Sequence, residues 1–295
     1  MLKQFLASKR NPYIPGDSQW EELSFNLSGN ILKIRMPPNS IPDTDQKSCT
    51  SPVNIYDRSL FTNYDTEETP HMDGSPSNYS VFRRAWGLYG KPWQSTEFGT
   101  VYFYLSVFRS ENLPNEMSCF NPNHFQQVLR NDMYYMFGPP NLNMKPISTP
   151  VNYRIFNLNE VQWFSYEAHT DLERANVSDT KTEKANFERL YLTPLDSQYY
   201  LVLSFVISGY SPIELSNQNT SKLIQRIENS LSLQLSQEAL KAQAVADRNW
   251  PNSEANPQLN PETWTYHKFR FGNTLEGEKE KVITEHGTPP PQYSC

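Results

Sequence analysis

Residues Tyr199 to Ser208 limit the possible folds of this chain more than any other stretch. Leu201, Leu203, Phe205 and Ile207 fall on one side of an extended backbone, and Tyr200, Val202, Ser204 and Val206 on the other. Successive strand residues point to opposite faces, so one face is wholly apolar and the other half so. Such a strand belongs inside a sheet covered on both sides. Leu192-Thr193-Pro194-Leu195-Asp196-Ser197 ahead of it signals a turn, because Pro fixes φ while Asp and Ser bond their own backbone. Beyond Gly209, the run Asn217-Gln218-Asn219-Thr220-Ser221 is rich in helix-capping residues. Leu223, Ile224, Ile227 and Leu231 then recur at helical spacing, with Lys222, Gln225, Arg226 and Glu228 opposite them. The pattern predicts a strand, a connection and a long helix that covers the strand.

Weaker versions of the same signals run through the rest of the chain. Phe25-Asn26-Leu27 and Ile31 to Met36 alternate around Gly29-Asn30, which predicts a hairpin stopped by Pro37-Pro38. Strands are expected at Ser80–Tyr89 and Thr100–Phe108. In the second of these, Val101, Phe103, Leu105 and Val107 oppose Tyr102, Tyr104 and Phe108. A helix is expected over Asn123–Phe137, with a stripe of Phe125, Val128, Leu129, Met133, Met136 and Phe137 and a stop at Gly138-Pro139-Pro140. The Pro/Asn-rich run that follows suggests a boundary between an N-terminal domain, 1–145, and a C-terminal domain, 146–295. Further strands are expected at Val151–Phe156, Val161–Tyr166 and Thr263–Phe271, the last before a polar, Pro-rich tail. The order of strands and then a helix recurs. That suggests an α+β chain of two halves, each an antiparallel sheet with a helix against it; one extended sheet with two covering helices is the alternative.

The net charge of −6 argues against nucleic acid or an anionic membrane as the main partner. No run approaches the roughly 18 apolar residues of a spanning helix. The first ten residues carry too short an apolar stretch for a secretory signal, which predicts a cytoplasmic protein. Cys49, Cys119 and Cys295 have no zinc-like or disulfide-framework spacing, and the five histidines are not paired at helical spacing. Pro290-Pro291-Gln292-Tyr293 matches the PPxY ligand of WW domains, although four residues match easily by chance.

Catalytic signals are thin. No phosphate-cradling glycine motif or nucleophile elbow occurs. Cys119 and His124 could pair as nucleophile and base, but a packed cysteine explains the former as well. His169 beside Asp171 and Glu173 reads as a solvated loop, and Arg83-Arg84 as solvated cations. No cofactor and no metal are expected, and no catalytic residue is assigned.

From Ile41 to Gly74 the pattern weakens and seven carboxylates gather against Lys47 and Arg58. A solvating loop would explain the charge but not the aromatic and leucine side chains among it. Binding surfaces use such groups as anchors with charges around them. The candidate partner-binding residues are therefore Tyr56, Asp57, Phe61, Tyr64, Asp65, Glu67, Glu68 and Asp73.

The pattern Phe25, Leu27, Ile31-Leu32, Ile34, Met36-Pro37 resembles the opening hairpin of Mog1/PsbP-like α+β domains. Leu195-Asp196 leading into Tyr199–Ser208 and a helix is similar to their central hairpin and helix. With the acidity and the lack of catalytic motifs, the chain resembles an immunity protein of a type VI secretion system, of the kind that neutralises a nuclease toxin of the restriction-endonuclease class. The resemblance implies occlusion of a basic toxin in the producing cell, without catalysis. A hydrolase or transferase with an unrecognised site, and an adaptor that loads secretion cargo, are the other readings.

Overall fold

The structure, a computed structural model, describes residues 2–42, 52–62, 76–94, 97–111, 113–137, 150–169, 184–210 and 212–257. The chain is α+β. Helix α1 (Leu2–Phe5) precedes the hairpin β1 (Glu21–Leu27) and β2 (Asn30–Met36); β3 (Ser77–Tyr89), β4 (Glu97–Arg109) and α2 (Pro122–Phe137) follow. The second part runs β5 (Val151–Leu158), β6 (Val161–His169), β7 (Lys184–Pro194), β8 (Tyr199–Tyr210), α3 (Ile213–Glu228), β9 (Ser232–Gln234) and α4 (Gln237–Asn249). The expected late strand at 263–271, the PPxY-like tail and Asp171 and Glu173 lie outside the described residues.

The alternation at Tyr199–Ser208 does what its two apolar faces require. β8 lies inside a six-stranded antiparallel sheet of order β3-β4-β8-β7-β6-β5. Leu201, Leu203, Phe205 and Ile207 join one core with Phe82, Trp86, Val101, Phe103, Leu105 and Val107. That core is closed by Leu223, Ile224 and Ile227 of α3, by Ala239 and Ala246 of α4, and by Leu32, Ile34 and Leu233 of a second sheet, β1-β2-β9. On the opposite face Tyr200 and Val202 meet Phe125, Val128, Leu129, Met133 and Phe137 of α2, together with Phe164 and Leu192. α2 and α3 thus bury their apolar stripes against opposite faces of the same sheet, a three-layer solution to covering it.

The order of elements does recur: four strands and a helix, twice. The sheets are nevertheless not divided between residues 1–145 and 146–295. β4 pairs with β8 from Gly99↔Gly209 to Arg109↔Tyr199, and β2 pairs with β9 through Leu32↔Leu233. Strands from both parts of the chain form the six-stranded sheet, with α2 on one face and α3 and the small β1-β2-β9 sheet on the other.

Local details depart from expectation in instructive ways. The hairpin turn is Ser28-Gly29, one residue earlier than expected, with both residues at positive φ (51° and 90°) and Asn26 Oδ1 accepting from the Gly29 N–H at 2.7 Å. A two-residue turn of this hand matches the twist of its strands, and glycine takes the second position without strain. Gly99 and Gly209 face each other where α3 crosses; a Cβ on Gly99 would stand 2.7 Å from Ser216 Oγ. The polar run 217–221 lies inside α3, which begins at Ile213 with Pro212 as its N-cap. Its side chains are used there: Thr220 Oγ1 donates back to Ser216 O (3.1 Å) and Asn219 Nδ2 to Lys9 O (3.0 Å). The expected single long helix is two. Leu231, Leu233 and Leu235 alternate through β9, and Ser236 Oγ caps α4 by accepting from the Ala239 N–H at 3.1 Å.

Candidate partner-binding surface

Of the eight residues proposed from sequence, Tyr56, Asp57 and Phe61 are described; Tyr64, Asp65, Glu67, Glu68 and Asp73 lie outside the described residues. Segment 52–62 is stapled to the body by alternate apolar side chains. Val53 joins β1 through its N–H to Asn26 O (2.8 Å) and its carbonyl to the Ser28 N–H (2.9 Å), and Ile55 is buried behind it. Between Ile55 and Phe61 the chain projects as a 3-10 turn, Arg58–Leu60. Asp57 caps that turn, its Oδ1 accepting from Ser59 N (3.1 Å) and Ser59 Oγ (2.6 Å). Thr62 then pairs with Asn78 at the start of β3, with N–H to carbonyl distances of 2.8 and 3.2 Å.

This geometry separates the two aromatics. Phe61 is 4 % exposed and packs on Tyr79 and Tyr199, with ring centroids 6.2 and 5.9 Å away. A side chain so enclosed cannot dock on a partner, so Phe61 leaves the binding set and joins the core. Tyr56 is 46 % exposed. Its ring stands edge-on to Tyr199 at 5.4 Å, and its hydroxyl donates to Asp196 Oδ2 at 2.6 Å. Burial, followed by the Asp196 carboxylate and the more distant Glu238, pushes the phenol far up, so it stays protonated. Leu60, at the end of the Arg58–Leu60 turn that follows, is exposed as well.

The result is a small apolar prominence, Tyr56 and Leu60, with Asp57, Asp196 and Glu238 around it. Asp196 comes from the β7–β8 turn and Glu238 from the first turn of α4. No local pattern in the sequence joins these three carboxylates, which meet only because β8 and α4 pack beside segment 52–62. Below the prominence, Glu111 is neutralised by Arg58 Nη2 at 2.8 Å and by Arg109, and it accepts from Ser77 Oγ. Arg109 also lies over the Tyr199 ring, 5.8 Å from its centroid. The tyrosine platform is therefore held from beneath by an ion-pair cluster while its upper side faces outward.

The other sequence candidates are built into the fold. Cys119 is buried and its thiol is pushed well up by that burial, so it is not an activated nucleophile. His124 is buried, lowered in pKa by desolvation, and its Nδ1 accepts from the Ser118 N–H at 3.3 Å. Arg84 donates to Pro37 O (2.8 Å) and Glu21 Oε2 (2.6 Å), so it is a structural cation and not a solvated one. Arg83 is half-buried beside Tyr104 on the opposite face. Among the described residues, no group of three or more His, Cys, Asp and Glu could hold a metal ion. Among the same residues, no helix is long and apolar enough to cross a membrane.

A second polar concentration, unforeseen from sequence, is a cleft of about 540 Å³ between α3 and β5–β7. Arg189 Nε donates to Glu167 Oε1 (2.8 Å), as Asn152 Nδ2 does to Glu167 Oε2 (2.6 Å). Arg154 Nη2 and the Tyr191 hydroxyl reach the two oxygens of Glu228 at 3.2 and 2.9 Å. Each of these four charges is paired with an opposite one; the Arg189–Glu167 pair bridges β7 and β6, and the Glu228 contacts hold the end of α3 on the sheet.

No known family profile matches the chain, and no curated protein sequence matches it. Among solved structures, it is similar to the crystal structure of LpqN, involved in cell envelope biogenesis of Mycobacterium tuberculosis. The two share 11 % identity at a TM-score of 0.30, over 59 % of this chain and 90 % of that one. The overlap is too loose to carry any property across.

Proposed function

We propose that the protein is a binding and occluding partner: an immunity protein that masks a cognate toxin with a basic surface, a nuclease by preference, in the cytoplasm of the cell that makes the toxin. It acts without catalysis, and its principal ligand is a protein, with neither nucleic acid nor a membrane in that place. The observation that carries the reading is the exposed Tyr56–Leu60 prominence inside a ring of carboxylates, held by a rigid platform. Interface anchors are large, pre-positioned side chains, and surrounding charges select and steer the partner. A nuclease offers the complement, because it must present cationic groups to phosphates. Tyr64, Asp65, Glu67, Glu68 and Asp73 follow in the same segment of sequence and are included in the proposal on that ground alone.

The test is co-expression with the product of the adjacent gene, a pull-down, and a growth assay of toxin protection. Tyr56→Ala should speed dissociation with little change in salt dependence, since a desolvated anchor acts on the off-rate. Asp57→Lys with Glu238→Lys should slow association at low salt and flatten its salt dependence, because charge steering fades beyond a Debye length of about 8 Å. A complex whose rates ignore all three changes would move the interface elsewhere. No complex with any neighbouring product would defeat the immunity reading itself.

A further inference from the structure

The end of the molecule opposite the Tyr56 prominence has a different character. Phe5, Leu6 and Trp93 are 50, 74 and 66 % exposed. The Phe5 and Trp93 rings lie 5.8 Å apart, and Lys91 Nζ stands 5.5 Å from the Trp93 ring centroid. Large apolar side chains this exposed are ordinary when scattered, but a contiguous group of them marks a contact surface.

The group is firmly mounted. Ala7, next to Leu6, is buried; Tyr13 and Tyr89 exchange both backbone bonds at 2.8 Å; Asn219 of α3 donates to Lys9 O. These ties hold the N-terminal segment against the tip of the β3–β4 hairpin, where Trp93 sits. Residues 1–16 and 90–96 contain Lys3, Lys9, Arg10 and Lys91 and no Asp or Glu, although the whole chain is at −6. An exposed carboxylate at the same end is Glu214, in the first turn of α3, where Ser216 Oγ donates to Phe98 O at 2.7 Å. The first carboxylate of β4, Glu97, is half-buried and its pKa is raised by that burial.

We propose that this pole rests on an anionic lipid surface, with Phe5, Leu6 and Trp93 in the headgroup–acyl boundary and Lys9, Arg10 and Lys91 against the phosphates. A Trp/Phe/Leu cluster backed by cations is the chemistry of interfacial membrane contact. The side chains protrude, which suits a deformable bilayer that needs no matching pocket. The acidic end is also placed for it: the 13 residues of β3 span roughly 40 Å at 3.3 Å per residue, several Debye lengths from the pole. The carboxylates around Tyr56 are then kept clear of anionic headgroups and face away from them. The net charge, which argues against a membrane from composition, is an average that hides this local group of cations. This contact is an accessory one and stands or falls separately from the toxin-binding reading.

The test is flotation of the full chain with vesicles of phosphatidylcholine alone or mixed with phosphatidylglycerol, in low salt. Binding is expected only to the mixed vesicles. Each basic residue near such a surface contributes roughly fivefold in partitioning, so Lys9→Glu, Arg10→Glu and Lys91→Glu together should weaken binding roughly a hundredfold or more. Leu6→Ser with Trp93→Ser should abolish it, with circular dichroism unchanged because both side chains are exposed. Trp93 is one of six tryptophans, so insertion is read with brominated acyl chains: the quenching should be lost in Trp93→Phe, which keeps vesicle binding. Absence of flotation, or flotation unaffected by the charge reversals, would overturn the proposal. Binding to soluble polyglutamate without bromine quenching would also overturn it, and would assign the pole to an acidic protein.

Discussion

Asp132 should contribute strongly to the pH dependence of stability in this fold. It sits on α2 against the sheet, 2 % exposed, and accepts a hydrogen bond from the Tyr200 hydroxyl. Burial pushes its carboxyl from an ordinary 3.8 up to about 8, while the Tyr200 bond pulls the other way. The native state therefore holds a proton that the unfolded chain releases near pH 4. Between those two values the unfolded state binds fewer protons, so stability falls as pH rises, by up to about 1.4 kcal/mol per unit. The contribution is fully present below about pH 4 and is lost progressively toward pH 8. At pH 7 the loss amounts to about 4 kcal/mol, comparable with a large part of the 5–15 kcal/mol typical of a whole domain. Asp132→Asn keeps the size and an oxygen that can accept from Tyr200, and it removes the titration. Urea unfolding of both proteins from pH 4 to 9 gives the difference curve. It should be near zero or slightly unfavourable to the variant at pH 4, rise in the variant's favour to about 4 kcal/mol at pH 7, and level off above pH 8. A flat difference curve would refute the reasoning. A variant increasingly less stable toward high pH would mean that the carboxyl is ionised and stabilised in place.

Four further outcomes follow from the packing. Leu203→Ala and Ile227→Ala remove fully buried side chains from the contact between β8 and α3, and each should cost about 2–5 kcal/mol in urea unfolding. Phe61→Ala should cost about 3–5 kcal/mol, whereas Tyr56→Ala, half out of the surface, should cost much less; equal losses would mean that Phe61 is not core. Ser236→Ala removes the α4 cap and should cost about 1 kcal/mol by the same measurement. Elemental analysis of the purified protein should find no stoichiometric metal; one zinc or iron per chain would contradict this.

What was legible in the sequence was whatever depends on neighbours along the chain. The period-two pattern of Tyr199–Ser208 specified an interior strand, because burial of both faces is written in the side chains themselves. The stripe from Phe125 to Phe137 specified α2 in the same way. Misreadings occurred where local and distant demands compete. The run 217–221 looked like a helix start, yet α3 begins four residues earlier. Thr220 and Asn219 find partners in Ser216 and Lys9, which a capping rule does not consider. Leu231 continues the helical spacing of Leu223, Ile224 and Ile227 and also alternates with Leu233 and Leu235, and the pairing of β9 with β2 decides between the two.

The surface was legible only in part. Aromatics among acids singled out segment 56–61, but periodicity cannot say which aromatic turns inward. Phe61 does, because Tyr79 and Tyr199 offer it an apolar site, and Tyr56 does not, because Asp196 holds its hydroxyl at the surface. Asp196 and Glu238 enter the acidic ring from 140 and more residues away in sequence, and Trp93 meets Phe5 across almost the whole first third of the chain. Composition fixes how much charge a chain carries. Where that charge gathers, and which end of the molecule it opposes, depends on which strands lie side by side, and that is decided only when the sheet closes.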